Sequence, residues 1–311
     1  MSTATLSPSP SGSLVKRSIV GGLIAAGFMG ILWADCTGFL GAKPGHWLVL
    51  VSIAFTAGGS LEVVRMAGTR GRFLRPWLVP SACACLAAVP LAVHDLAGPR
   101  GGSADPLALA VVLVLGIMCG VEVAAYRRDA AALPRLAAGF ATATAIGLPF
   151  AFMMRLRLLH ETAGLASLVP LASMLAVVKV GDIAAYLVGS RLGRNRMAPV
   201  LSPGKTWEGA AASLAASVAV AWFFLNVLHA GSPGPWGGWP VYGLAVGSAG
   251  MLGDLAESLV KRELGVKDSG TSLGALGGFL DLADATLLAA PVAWGLWTLG
   301  SLAPAMPGAV P

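Results

Sequence analysis

The sequence predicts an all-α, polytopic integral membrane protein with about nine transmembrane helices. Its 311 residues are 56% hydrophobic and only 12% charged, with a mean hydropathy of +0.77, whereas a soluble domain carries about 25% charged residues. Apolar stretches recur at the length of roughly 20 residues that a helix needs to cross a bilayer. They lie near 18–36, 46–64, 77–97, 105–125, 137–154, 164–190, 209–229, 239–260 and 278–302.

Taken in order, the chain opens with MSTATLSPSPSGSL, a Ser/Pro-rich composition that does not build a core. Residues 1–17 are therefore expected as a disordered tail. Lys16 and Arg17 ahead of an apolar run also fit a signal peptide, but the run from Ser18 to Trp33 has no persuasive small-residue cleavage site. It is read as a retained first span. Short loops join the remaining spans, so residues 18–303 form one integral domain, with a short tail at 304–311 and no soluble module. The 41 glycines suit close helix–helix packing. Cys36, Cys83, Cys85 and Cys119 lie in or beside apolar stretches without metal-ligand spacing, as packing residues do.

Basic residues set the orientation, because cytoplasmic loops are enriched in Lys and Arg. With the N-terminus inside, sixteen fall on inner segments: Lys16, Arg17, Arg65, Arg70, Arg72, Arg75, Arg127, Arg128, Arg135, Arg191, Arg194, Arg196, Lys205, Lys261, Arg262 and Lys267. Lys43, Arg100, Arg155 and Arg157 fall outside, and Lys179 lies within a span. A cytoplasmic N-terminus is expected. The net charge of +6 needs no nucleic acid, since basic inner loops face anionic headgroups.

The polar stretch VLSPGKTWEG, residues 200–209, contains Gly-Lys-Thr but is not a Walker loop. That pattern needs Gly five residues before Gly204 and a preceding strand, and Pro199 stands there. GSRLGRNR, residues 189–196, is similar to the basic inter-helix loop of major-facilitator transporters, whose two six-helix halves nine unrepeated spans do not fit. Acidic residues discriminate better, because ionisable groups at membrane depth mark functional sites by default. Asp182, Asp254, Glu257, Asp281 and Asp284 all fall in or at the ends of the last four spans. Asp281 and Asp284, three apart, share a helix face. Carboxylates beside Lys205, Lys261, Arg262 and Lys267 suit Mg²⁺ and a polyphosphate. Spacing equally allows structural ion pairs at helix ends, and names neither nucleotide nor acceptor.

SLVKRELGVKDSGTSLGALGGFLDLAD, Ser258 to Asp284, resembles the signature of phosphatidate cytidylyltransferases (CDP-diacylglycerol synthases). That pattern runs S-x-x-K-R-x(4)-K-D, then a Gly-rich stretch with H-G-G, then D-R-x-D. GDIAAYLVGSRLGRNRMAPVLSPGKTWEG and GDLAES are similar to other segments of the same family, so the motifs cover roughly residues 181–285. Two positions depart from the pattern: Leu276 replaces its histidine and Leu282 its arginine.

The resemblance implies CTP + phosphatidate → CDP-diacylglycerol + pyrophosphate, in phospholipid biosynthesis at the cell inner membrane. It further implies Mg²⁺, with a second cation allowed, on Asp254, Asp281 and Asp284. Ser202, Lys205, Thr206 and Lys267 would take CTP, with Ser202, Lys205 and Lys267 on its phosphates. Ser258, Lys261, Arg262 and Asp268 would position phosphate substrates, and Asp182 would support nucleotide or metal. Partners implied are CTP, phosphatidate and the bilayer, with a homodimer left open. The rivals are a CTP-dependent lipid kinase of the polyprenol or phytol type and a non-catalytic lipid- or CTP-binding relative.

Overall fold

The computed structural model describes residues 10–71, 74–97, 105–128, 131–160, 165–229, 234–270, 272–274 and 277–302. Among the described residues nine helices follow the expected spans: α1 (Pro10–Thr37), α2 (His46–Thr69), α3 (Leu78–Ala97), α4 (Pro106–Ala124), α5 (Ala132–Arg157), α6 (Val169–Leu192), α7 (Trp207–Phe223), α8 (Gly238–Glu263) and α9 (Phe279–Leu302). Seven of them, α2 to α7 and α9, are long and apolar enough to cross a membrane. The protein is a multi-pass, all-α membrane protein. The apolar part of α1 is the shorter stretch Gly21–Thr37. In α8 the last three turns carry Asp254, Glu257, Lys261, Arg262 and Glu263, which dilutes its hydropathy at the end that matters for chemistry. Helix α1 begins at Pro10, inside the segment expected as a disordered tail; residues 1–9 and 304–311 lie outside the described residues.

Helices α6, α7 and α8 approach closely because small residues line their contacts. A Cβ at Gly181 would stand 2.9 Å from the Ser213 and Ser217 hydroxyls, and one at Gly243 2.6 Å from the Val218 backbone. Without bulk between them the helix backbones come near enough for dispersion to hold them in lipid, where no hydrophobic force separates helix from solvent. Helix α9 packs on α8 in the same way: a Cβ at Gly253 would lie 2.6 Å from the Asp284 carbonyl oxygen. Above this contact the core is filled by Trp297, Tyr242 and Met174, each almost wholly buried. On α4, by contrast, Leu109, Val112, Leu113 and Ile117 are exposed, as lipid-facing side chains are.

Between α6 and α7 the chain forms a hairpin of β1 (Arg196–Ala198) and β2 (Ser202–Thr206). Its strands are antiparallel, with Arg196 opposite Thr206 and Ala198 opposite Ser202. Ser-Pro-Gly-Lys-Thr reads as a loop by composition, since Pro and Gly are depleted in strands. The pairing comes instead from β1 and from Trp207 N–H donating to the Asn195 carbonyl at 3.0 Å, which closes the base of the hairpin.

Candidate active site

The hairpin delivers Lys205 into the bundle. Thr206 ends β2 and caps α7: it is buried, and its Oγ1 accepts the Gly209 N–H at 3.1 Å, satisfying one of the orphan donors of the first turn. Glu208 accepts from Asn195 N and Nδ2, the latter at 2.9 Å. These contacts fix the strand-to-helix junction, so the preceding Lys205 projects toward α8. There its ammonium lies 2.8 Å from Asp254 Oδ2.

Around that pair three helices, α6, α8 and α9, bring carboxylates together. Carboxylate oxygens of Asp254, Glu257 and Asp284 all lie within 4.8 Å of one another. Asp254 and Glu257 are three apart on α8 and share its face, and Asp284 arrives from α9 through the gap left by Gly253. Asp182 on α6 faces the same group, its charge acting on Asp284. Three like charges at such distances repel strongly unless a cation lies among them. Hard oxygen donors in a partly buried cluster are the ligand set of Mg²⁺, so these residues fit a divalent cation.

The neighbouring lysine is already engaged. Lys261 lies 2.6 Å from Glu257 and 2.8 Å from Asp281, bridging α8 to α9. Asp281 also accepts the Gly278 N–H at 2.8 Å and the Ser269 N–H at 3.3 Å. Gly277, at φ +92°, turns the chain into α9, and a Cβ there would stand 2.7 Å from Asp281 Oδ2. Only glycine meets both demands. Beneath the turn, Glu62 of α2 is 1% exposed. It accepts N–H groups of Phe279 and Leu280, each at 3.0 Å, and the Ser269 hydroxyl at 3.1 Å. A carboxylate at a helix N-terminus satisfies orphan donors and complements the dipole. Glu62 thus holds the end of α9, and with it Asp281 and Asp284, in place.

The arrangement is a carboxylate group open to cations, flanked by two lysines, at a junction of membrane helices. The sequence profile of the "Cytidylyltransferase family" matches residues 15–299. The chain belongs to that family. Phosphatidate cytidylyltransferase of Brucella suis is 42% identical over 139 residues, which are 44% of this chain and 49% of that protein. The Mycobacterium leprae protein of the same name is 39% identical over 126 residues, 40% of this chain and 39% of its own. The one from Haemophilus influenzae is 36% identical over 162 residues, 51% of this chain and 56% of its own. The chain therefore spans about half the length of the curated relatives it matches.

The residues picked out from sequence divide clearly in the fold. Asp182, Asp254, Asp284, Lys205 and Lys261 come together. Asp281, expected among the metal ligands, lies outside the Asp254–Glu257–Asp284 group because Lys261 and the α9 turn hold it. Thr206, expected to touch substrate, is a buried helix cap. Ser258 is half-buried on α8, and Arg262 is exposed, with its Nε donating to the Leu201 carbonyl at 3.4 Å. Lys267 and Asp268 are exposed; Asp268 lines a recess of about 390 Å³ with Glu62 and Arg65. Leu276 lies outside the described residues. Beside Leu282, the Lys179 ammonium donates to its carbonyl at 3.0 Å. Glu62 is the addition, and Glu257, already named with the acidic residues of the last spans, joins the group. Both follow from the rule that ionisable groups in spans are functional, applied to α2 as well as to the last four spans.

Proposed function

We propose that this chain is a phosphatidate cytidylyltransferase of the cell inner membrane, with its N-terminus in the cytoplasm. The observation that supports it best is the Lys205–Asp254 contact, which joins the SPGKTWEG hairpin to the carboxylate group inside a membrane bundle. A nucleotide triphosphate needs both, cations for its phosphates and carboxylates for its metal. The names of the relatives supply the acceptor.

In this reading a phosphate oxygen of phosphatidate attacks the α-phosphorus of CTP, and the bond to the bridging oxygen breaks. Pyrophosphate leaves, and CDP-diacylglycerol remains in the membrane. No protein nucleophile is needed, and the monoester oxygen is already largely ionised near neutral pH, its second pKa being about 6. Asp254, Glu257 and Asp284 would hold Mg²⁺. When bound, the cation neutralises charge building on the phosphates. Lys205 leaves Asp254 for the triphosphate, and Ser202 and Lys267 flank it. Lys261, kept straight between Glu257 and Asp281, and Arg262 with Ser258 orient the phosphates for in-line displacement. Asp182 supports the metal or nucleotide. Residues 18–303 serve as one catalytic domain.

CTP labelled separately at the α and γ positions, given to the purified chain with phosphatidate, tests this. Label from the α position should enter lipid. Label from γ would make the chain a lipid kinase, and none from either a non-catalytic relative. Orientation is checked by cysteines at Gly204 and Gly234, the first reactive from the cytoplasmic side only and the second from the opposite side only.

A further inference from the structure

On α6, Lys179 stands three residues before Asp182, about 4.5 Å further along the axis and on the side of the carboxylate group away from the β1–β2 hairpin. An ammonium in the middle of a span is costly, and such groups mark substrate paths or paired charges. Three lysines serve this group, and they differ in what they hold. Lys205 and Lys261 close salt bridges to Asp254, Glu257 and Asp281. The hydrogen bond of Lys179 goes to a neutral acceptor, the Leu282 carbonyl at 3.0 Å. Its charge acts on both Asp182 and Asp284. One of its three N–H donors is used by that carbonyl, which leaves donors for a further oxygen ligand.

The two lysines whose charge acts on Asp182 also face different phases. Lys205 comes from the hairpin, beyond the ends of α6 and α7, where a soluble nucleotide arrives. Lys179 comes from within the span, where a headgroup tethered by acyl chains is held. We infer that Lys179 binds the phosphate monoester headgroup of the lipid acceptor. This rests on the cytidylyltransferase reading for its chemistry, since that reaction needs a lipid phosphate oxygen brought beside the cation site. A monoester of charge −1.5 to −2 suits a compact ammonium on a flexible stem, which can leave a neutral carbonyl at small cost. Leu282 contributes its carbonyl to this spot, and α6 supplies the cation there.

The test uses the purified full chain in detergent, with dioctanoyl phosphatidate and CTP titrated separately against wild type, Lys179→Met and Lys179→Arg. Lys179→Met should weaken dioctanoyl phosphatidate by about tenfold or more while CTP binding stays within about twofold. Lys179→Arg should keep most of the lipid affinity. In turnover, the KM for phosphatidate should rise in Lys179→Met while the KM for CTP does not. Equal loss of both ligands would show a structural counter-ion to Asp182 and Asp284, and would overturn the inference. So would phosphatidate binding that is unchanged in Lys179→Met, or absent in wild type. Wild type that binds phosphatidate but transfers no α label would sink the cytidylyltransferase reading alone, leaving the binding difference to decide Lys179.

Discussion

Helix α2 connects a buried charge cluster and a partly buried one at its opposite ends, about 25 Å apart by the rise from Gly45 to Glu62. At the Gly45 end, Asp35 and Arg157 are each 1% exposed. Arg157 Nε lies 2.6 Å from Asp35 Oδ2 and its Nη1 donates to Ser167, while Asp35 also accepts the Gly45 and Trp47 N–H groups. One carboxylate meets one guanidinium, and backbone and hydroxyl groups take up remaining valences. At the Glu62 end, the five carboxylates Asp182, Asp254, Glu257, Asp281 and Asp284 meet the three ammonium groups Lys179, Lys205 and Lys261. The first cluster is electrically closed and ties α1, α2 and α5 together. The second carries excess negative charge, which in the proposed reading a cation with its phosphates offsets. Burial of charge thus has two meanings in one bundle, separated by whether the local charges balance.

Breaking the closed cluster should give the largest effect, on stability rather than chemistry. Arg157→Met leaves Asp35 buried without its partner, a loss of about 3–5 kcal/mol. Thermal unfolding in detergent should show it, with the specific activity of the surviving folded fraction near that of wild type. A fully folded but inactive Arg157→Met would place this pair in the chemistry and erase the contrast. In the open cluster the expected result reverses. Asp284→Asn or Asp254→Asn keeps shape and relieves repulsion, so the protein should remain folded while turnover falls at least a hundredfold, about 2.7 kcal/mol. Normal turnover in either would reduce the group to structural charge.

Much of this contrast was legible in the sequence, and the part that was not has a common cause. Apolar length places α2 to α7 and α9, and the acidic residues of the last spans gather at one end of the bundle. Periodicity shows which residues share a face but not what the face meets. Asp281 and Asp284 share a side of α9, yet Lys261 and the Gly277 turn take Asp281 while Asp284 meets α8. Glu257, one turn from Asp254, takes the place in the group that Asp281 was expected to fill. Glu62 acts on Phe279 across the whole chain, a pairing that no local pattern encodes. The β1–β2 hairpin hides behind Pro203 and Gly204, because its register is set by the closing contacts at Asn195 and Trp207.

A smaller effect separates the scaffold of the site from its chemistry. Thr206→Ala removes the α7 cap, which costs about 1 kcal/mol of stability. The KM for CTP should rise only modestly, because Lys205 keeps its backbone register. A hundredfold loss of CTP affinity in Thr206→Ala, with stability unchanged, would return Thr206 to direct contact with substrate.

The most direct measurement is Mn²⁺ binding, followed by electron paramagnetic resonance, to the purified chain and to Glu257→Gln and Asp281→Asn. The charge imbalance at the Glu62 end predicts a bound Mn²⁺ population in wild type. It should weaken by about tenfold or more in Glu257→Gln and by much less in Asp281→Asn. Absence of bound Mn²⁺ in wild type, or binding that Glu257→Gln leaves intact and Asp281→Asn abolishes, would contradict the assignment of Asp254, Glu257 and Asp284 as the cation site.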